Sequence, residues 1–248
     1  MEENFNTQAT EGASVSTTAD GYRFSLLDWK PGGYRLAQLD DYANLPRRKF
    51  PSKAPLTLGL RARASADSIP GTWGFGLWND PFGLSLGFGG VPWRLPGLPN
   101  AIWFFHASAE NHLSFRNDKP GNGFLAQAFR SPAFPLGRLA RAGMALPFSR
   151  KKARQWMSRI VEEDGVRLSV DVPQWHDYRF EWSPARSAFW VDEALVLETP
   201  VSPRPPLGLV IWIDTQYAFW RPDGKFGWGV LEGVEGWIEV ERIVLRKE

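Results

Sequence analysis

The sequence predicts an all-β chain interrupted by one basic helix, and three observations carry that expectation. From Gly21 onward, short runs of alternating apolar and polar residues follow one another, separated by Gly, Pro, Asn and Asp. A period of two is the mark of half-buried strands. The chain holds 13 Trp and 17 Phe but only 5 Tyr, a stock of large rings that packs between sheets or lines an open cleft. One stretch alone, from Gly137 to Asp164, turns helical and basic.

The opening segment, Met1 to about Ala19, is polar and small and is expected to be a disordered tail, leaving residues 20–248 as a single domain. A segment that poor in apolar side chains buries too little surface to order itself. Strands are expected at Tyr22–Leu27, Tyr34–Leu39 and Leu56–Ala64, the last with Leu56, Leu58 and Leu60 alternating against Thr57, Gly59 and Arg61. In Thr72–Trp78, Trp73, Phe75 and Leu77 lie on one side and Gly74, Gly76 and Trp78 on the other. Glycines along one face leave a groove or permit close backbone approach.

A Gly/Pro loop from Pro81 to Asn100 carries Phe82, Phe88 and Trp93. Ala101–Ala107 is apolar almost throughout, as a strand buried on both faces would be. Leu113–Arg116 and Phe124–Arg130 continue the series. The helical insertion spans about 137–164; after Ser149, which fits an N-cap, Ala153, Trp156, Met157, Ile160 and Val161 fall on one helical face. Arg150, Lys151, Lys152, Arg154 and Arg159 occupy the other faces. The helix either packs on the sheets with a solvated charged side, or meets an anionic surface or lids a cleft through 149–161. Strands resume at Val166–Val172, His176–Trp182, Ser187–Val191, Leu195–Thr199, Leu207–Ile213 and Trp237–Arg246.

Totals exclude several function classes. Lys plus Arg number 29 against 27 Asp plus Glu, so the net charge gives no footprint for nucleic acid. Cysteine is absent, which removes disulfides, thiolate metal sites and a cysteine nucleophile. No basic leader with an apolar run opens the chain, and no stretch of about 18 apolar residues could span a bilayer. The expectation is a cytoplasmic monomer.

The run WHDYRFEWSPARSAFWVDEALVLETP, Trp175 to Pro200, resembles strands of family 16 glycoside hydrolases and their concanavalin A-like relatives. Trp175, His176, Tyr178 and Trp182 match a W-H-x-Y-x-x-x-W start; Phe189, Val191 and Asp192 match an aromatic-Val-Asp strand end. Leu207–Asp214 resembles a strand lining the groove, and Trp237–Glu248 the last strand. Gly71, Thr72, Trp73, Leu77 and Trp78 resemble, more loosely, the strand before the catalytic one. The resemblance implies a curved antiparallel β-sandwich of jelly-roll type, with a carbohydrate or a similar small molecule as ligand; it leaves open a structural calcium, which some relatives hold, and implies no other cofactor.

The family's working strand carries E-x-D-x-(x)-E, because retaining hydrolysis needs two carboxyls about 5 Å apart. The strand in register here, Asn100 to His106, reads NAIWFFH and has no carboxylate. The hairpin that is Asp-Gly in many relatives is Asp192-Glu193-Ala194 here, and its turn type stays open. Candidate acid or base groups are Asp214 and His106, with Glu232 as a further acid. The candidate ligand-binding set is Trp73, Trp78, Trp93, Trp103, His106, Trp212, Asp214, Tyr217 and Trp220. Alternation puts Trp212 and Asp214 on one face and Ile211 and Ile213 on the other. Three scattered histidines make no metal constellation. The first expectation is a groove-binding module without glycosidase chemistry. The alternative is an enzyme with rewired chemistry (a lyase, isomerase, cyclase or atypical hydrolase) acting on a ligand in an apolar groove.

Overall fold

The computed structural model describes residues 5–27, 33–81, 97–132 and 150–247. Its strands are β1 (Asn6–Ala9), β2 (Ala13–Thr17), β3 (Gly21–Leu26), β4 (Leu36–Asp40), β5 (Leu56–Ala64), β6 (Thr72–Trp78), β7 (Ala101–Ala107) and β8 (Gly123–Arg130). Helix α1 (Arg150–Ile160) precedes β9 (Glu162–Arg167), β10 (His176–Trp182), β11 (Ser187–Val191), β12 (Ala194–Thr199), β13 (Gly208–Asp214), β14 (Gln216–Trp220), β15 (Phe226–Val230) and β16 (Gly236–Lys247).

Two antiparallel sheets form a sandwich. The first runs β1-β4-β13-β6-β7-β8-β9 and the second β12-β11-β10-β5-β16-β3-β2, with β14 and β15 as a separate hairpin. Side-chain alternation sends Leu58, Phe75, Phe104, Phe180 and Ile211 into one core between the sheets. The first sheet is covered on its other face too, where Trp78, Trp103, Phe105, Trp212, Phe129 and Met157 make a second core. Strands β7 and β13 are therefore buried at every position, which explains why Ala101–Ala107 shows no alternation. By contrast β5, with one face at the surface, alternates strictly.

The structure corrects the expected tail. Residues 6–17 form β1, paired with β4, and β2, paired with β3. Both strands sit at sheet edges with every second residue exposed, so short polar sequences suffice where one neighbour supplies the hydrogen bonds. A tight turn joins them: Ala13 donates to the Thr10 carbonyl at 3.0 Å, and Gly12 takes φ 77°, a left-handed conformation that glycine adopts without strain.

Two further expectations shift. Leu113–Arg116 forms no strand, because the carbonyls of Ser114 and Arg116 accept from Arg154 instead. The helical insertion ends at Ile160, and Glu162–Asp164 belong to β9. Residues 137–149, with the Ser149 cap, lie outside the described residues. The hairpin at Asp192 and Glu193 has φ 48° and 68°, the double positive φ of a type I′ turn. His176 Nδ1 and the Asp177 amide both meet the Asp192 carboxylate, which pins that turn.

Candidate functional site

On the covered face of the first sheet, the one expected to line the groove and called the groove face below, the structure assembles part of the expected set. Trp212 stacks on Trp78 at 5.7 Å and 10°, and meets Phe105 at 5.6 Å and Trp103 at 5.8 Å. Trp78 Nε1 donates to Tyr42 Oη at 2.6 Å, and Trp103 Nε1 to Gln127 Oε1 at 3.3 Å. Trp220 joins from β14. These rings are not open platforms: Trp78 is 9% exposed, Trp103 and Trp212 5%, and Trp220 7%. Their faces are spent on one another.

Trp73 and His106 fall on the other face. The register pairs Trp73 with His106 across β6 and β7, and Trp73 belongs to the core between the sheets, where it stacks on His106 at 5.3 Å and 11°. His106 was expected at the groove face; alternation from Trp103 and Phe105 turns it inward instead. Burial alone lowers its pKa from 6.5 to about 4. Its Nδ1 meets no hydrogen-bond partner among the described residues, so it is a neutral core histidine. Trp93 lies outside the described residues.

Asp214 sits where alternation puts it, on the groove face beside Trp212. It is 6% exposed. Thr72 Oγ1 donates to its Oδ1 at 2.8 Å and the Gln216 amide at 3.2 Å, while Tyr34 Oη donates to Oδ2 at 3.3 Å. Thr72 Oγ1 in turn accepts from Trp212 Nε1 at 3.0 Å. Burial raises the carboxyl from 3.8 to about 7, against the pull of these donors. The same burial, with Asp214 beside it, pushes Tyr34 well above its ordinary value.

Sequence reasoning missed two groove-face carboxylates. Asp40, on β4, accepts from the Tyr42 amide at 3.0 Å and from Gln38 at 2.9 Å. Glu163, on β9, takes the Ser114 hydroxyl and the amides of Phe115 and Arg116; burial raises its pKa above the usual range. Neither neighbourhood carries a motif, which is why periodicity gave no signal. Glu163 lies four strand spacings from Asp214 across the sheet, about 19 Å. Asp40 pairs with Val210, four residues before Asp214 on β13, about 14 Å along the strand. No two of these three approach the ~5 Å of a retaining pair or the ~6.5–9.5 Å of an inverting one.

The β14–β15 hairpin offers a different surface. Trp220 faces the second core, while Tyr217 and Phe219 point the other way and belong to neither core. Their rings are nearly parallel, 7° apart with centroids 6.3 Å from one another. Opposite them stand Gly229 and Gly227. A Cβ on Gly229 would come within 2.8 Å of the Tyr217 ring, and one on Gly227 within 2.7 Å of Phe219, so both rings lie across the partner strand. The other edge of β14 is tied down as well: His112 donates to the Ala218 carbonyl at 3.0 Å, and Ala218 to Asn111 Oδ1 at 2.9 Å. Arg221 Cζ stands 4.9 Å over Phe219. The result is a half-buried pair of parallel rings fixed on both sides, with a cation beside it. Of the two, only Tyr217 was in the expected set; Phe219 was missed because the hairpin itself was.

Among the described residues no three His, Asp or Glu side chains converge as metal ligands, and no helix is long and apolar enough to cross a membrane. No protein-family model matches the chain, and no curated protein matches it. Solved structures do. A legume lectin-like domain from Entamoeba histolytica aligns over 99% of this chain and 90% of its own, with 10% identity and a TM-score of 0.49. An endo-β-1,4-glucuronan lyase from the fungus Trichoderma reesei aligns over 100% and 89%, with 13% identity and a TM-score of 0.48. A glycoside hydrolase family 16 endo-glucanase from Bacteroides ovatus aligns over 98% of this chain and 96% of its own at 10% identity, with a TM-score of 0.51. At that identity the likeness is one of fold alone: the chain is built as a curved antiparallel β-sandwich, the architecture it shares with the endo-glucanase.

Proposed function

We propose that this chain is a carbohydrate-binding β-sandwich that works without the carboxylate pair of family 16 hydrolases, and that the sugar stacks on the hairpin rings Tyr217 and Phe219. The observation that carries the reading is the parallel, doubly braced ring pair. Sugar rings present an apolar C–H face, and a rigid aromatic surface receives it with little ordering cost. The groove-face tryptophans, being 5–9% exposed, support that face of the sheet instead of meeting ligand. The separations among Asp40, Glu163 and Asp214 argue against both standard glycosidase geometries.

The test is a titration of a soluble β-glucan oligosaccharide into the wild-type chain and into Tyr217→Ala and Phe219→Ala. Each substitution is expected to weaken binding about tenfold, or about 1.4 kcal/mol, with the melting temperature held within a few degrees. Full binding in both variants would overturn the reading.

A second reading rests on Asp214, whose carboxyl titrates near neutrality beside the Tyr34 hydroxyl. A group of that pKa suits proton transfer. It predicts turnover of a small ligand that disappears in Asp214→Asn, whereas the binding reading leaves sugar affinity untouched by that change.

A further inference from the structure

The outward face of the second sheet carries a depression that neither the groove nor the hairpin accounts for. Strand β5 presents Thr57, Gly59, Arg61 and Arg63 outward, since Leu56, Leu58, Leu60 and Ala62 are buried. Gly59 is opposed by Arg179 on β10 and by Val244 on β16. A Cβ placed on Gly59 would meet no atom within 4 Å; the middle of this row is empty. The hollow is about 310 Å³, at the lower end of small-ligand clefts.

Its walls are cationic. Arg61, Arg179, Arg242 and Arg246 line it, against Asp177 and Glu193. The ladder between β16 and β5 is irregular between Glu241 and Val244, and within that bulge Arg242 takes φ 52°. A bulge re-aims side chains, and this one adds Arg242 to the lining. Arg179 is committed: its guanidinium lies 3.8 Å over Trp190 and pairs with Glu181. Arg61 is only loosely engaged, 3.7 Å from both Asp177 and Glu241. Among the described residues Arg242 and Arg246 have no carboxylate partner. Val244, 41% exposed, and the bare backbone of Gly59 supply an apolar floor beside these charges.

We infer that this hollow is a second ligand site, distinct from the hairpin, which takes a sugar ring bearing a carboxylate. Arg246 and Arg242 receive the anion, through the paired N–H groups that match carboxylate geometry. The ring lies over Gly59 against Val244, and the rim carboxylates Asp177 and Glu193 accept hydroxyl hydrogens.

Trigalacturonate and neutral galactotriose, titrated into the full chain by calorimetry, test this. Trigalacturonate is expected to bind, to weaken about tenfold in Arg246→Gln, and to weaken further as salt is raised. Gly59→Leu fills the hollow in open space, so it should abolish binding while the melting temperature holds or rises. Tyr217→Ala should leave trigalacturonate untouched, which separates this site from the hairpin. The inference is overturned if trigalacturonate does not bind, if galactotriose binds as well at the same place, if inorganic sulfate displaces the sugar at equal concentration, or if only Tyr217→Ala removes the binding.

Discussion

Asp214→Asn is expected to make the protein more stable by about 4 kcal/mol above pH 7, and to change the shape of its stability curve. In the folded chain burial holds the Asp214 carboxyl near 7, against 3.8 in the open chain. A raised pKa favours folding while the group is protonated. That contribution is complete below 3.8 and is lost as pH climbs from 3.8 to about 7, at about 1.4 kcal/mol per pH unit. Above pH 7 the native fold carries a buried ion that the amide does not. The asparagine keeps its partners, with its oxygen accepting from Thr72 and Gln216 and its NH₂ donating to Tyr34.

His106 runs in the opposite sense. Its folded value of about 4 lies below the ordinary 6.5, so its contribution is complete above 6.5 and fades as pH falls toward 4. Between pH 4 and 6.5 the two groups oppose one another in the wild type. In Asp214→Asn the aspartate's slope is gone, so the stability gained over the wild type should grow by about 3 kcal/mol between pH 4 and 6.5. Glu163, also raised by burial, is common to both proteins and leaves their difference alone. Urea unfolding from pH 4 to 9, followed by tryptophan fluorescence, checks this. Parallel curves for the two proteins would sink it.

Arg154→Met is expected to cost about 3 kcal/mol, which lowers the melting temperature by roughly 6–12 °C in a chain of this size. Arg154 was read as part of the helix's solvated charge, yet it is 3% exposed. It donates to the Trp220 carbonyl at 2.8 Å, to Asn117 Oδ1 at 2.6 Å, and to the carbonyls of Ser114 and Arg116 at 3.1 and 3.2 Å. Methionine matches the stem but takes the donor from the buried Trp220 and Ser114 carbonyls. Because Trp220 ends β14, the hairpin should loosen first, seen as faster proteolysis there. A change below about 1 kcal/mol, the ordinary range for surface charge, would contradict the role assigned to this residue.

The strands of both sheets were legible wherever burial imposed a pattern. Alternation found β5, and the unbroken apolar run found β7, because the first sheet is covered twice. It failed at β1 and β2, whose edge positions leave half their residues in water. It failed again at the hairpin, where Tyr217, Phe219, Gly227 and Gly229 mix rings with glycines in a way no single-strand rule reads. Site reasoning placed Asp214 and Trp212 on the correct face by alternation. It put Trp73 and His106 with them because the set was drawn from strands expected to approach the groove, against the alternation that separates Trp73 from Trp78 and His106 from Trp103 within one strand. Arg154 was misplaced for a related reason: the carbonyls that hold it come from segments 114–117 and 220, remote in sequence.

The covered groove face also constrains how this protein can change. The positions of β7 on the covered face are Ala101, Trp103, Phe105 and Ala107, all four packed into the second core at 0–5% exposure. A glutamate introduced there would enter an apolar interior as an unpaired charge, or stay protonated and idle. A carboxylate pair could be seated there only after the aromatic layer above had first been stripped away, and each of those intermediate sequences would lose stability. The filled face therefore behaves as an evolutionary ratchet: any single step toward a carboxylate there costs the fold first, whereas the hairpin rings and the outward face of the second sheet can change without opening a core.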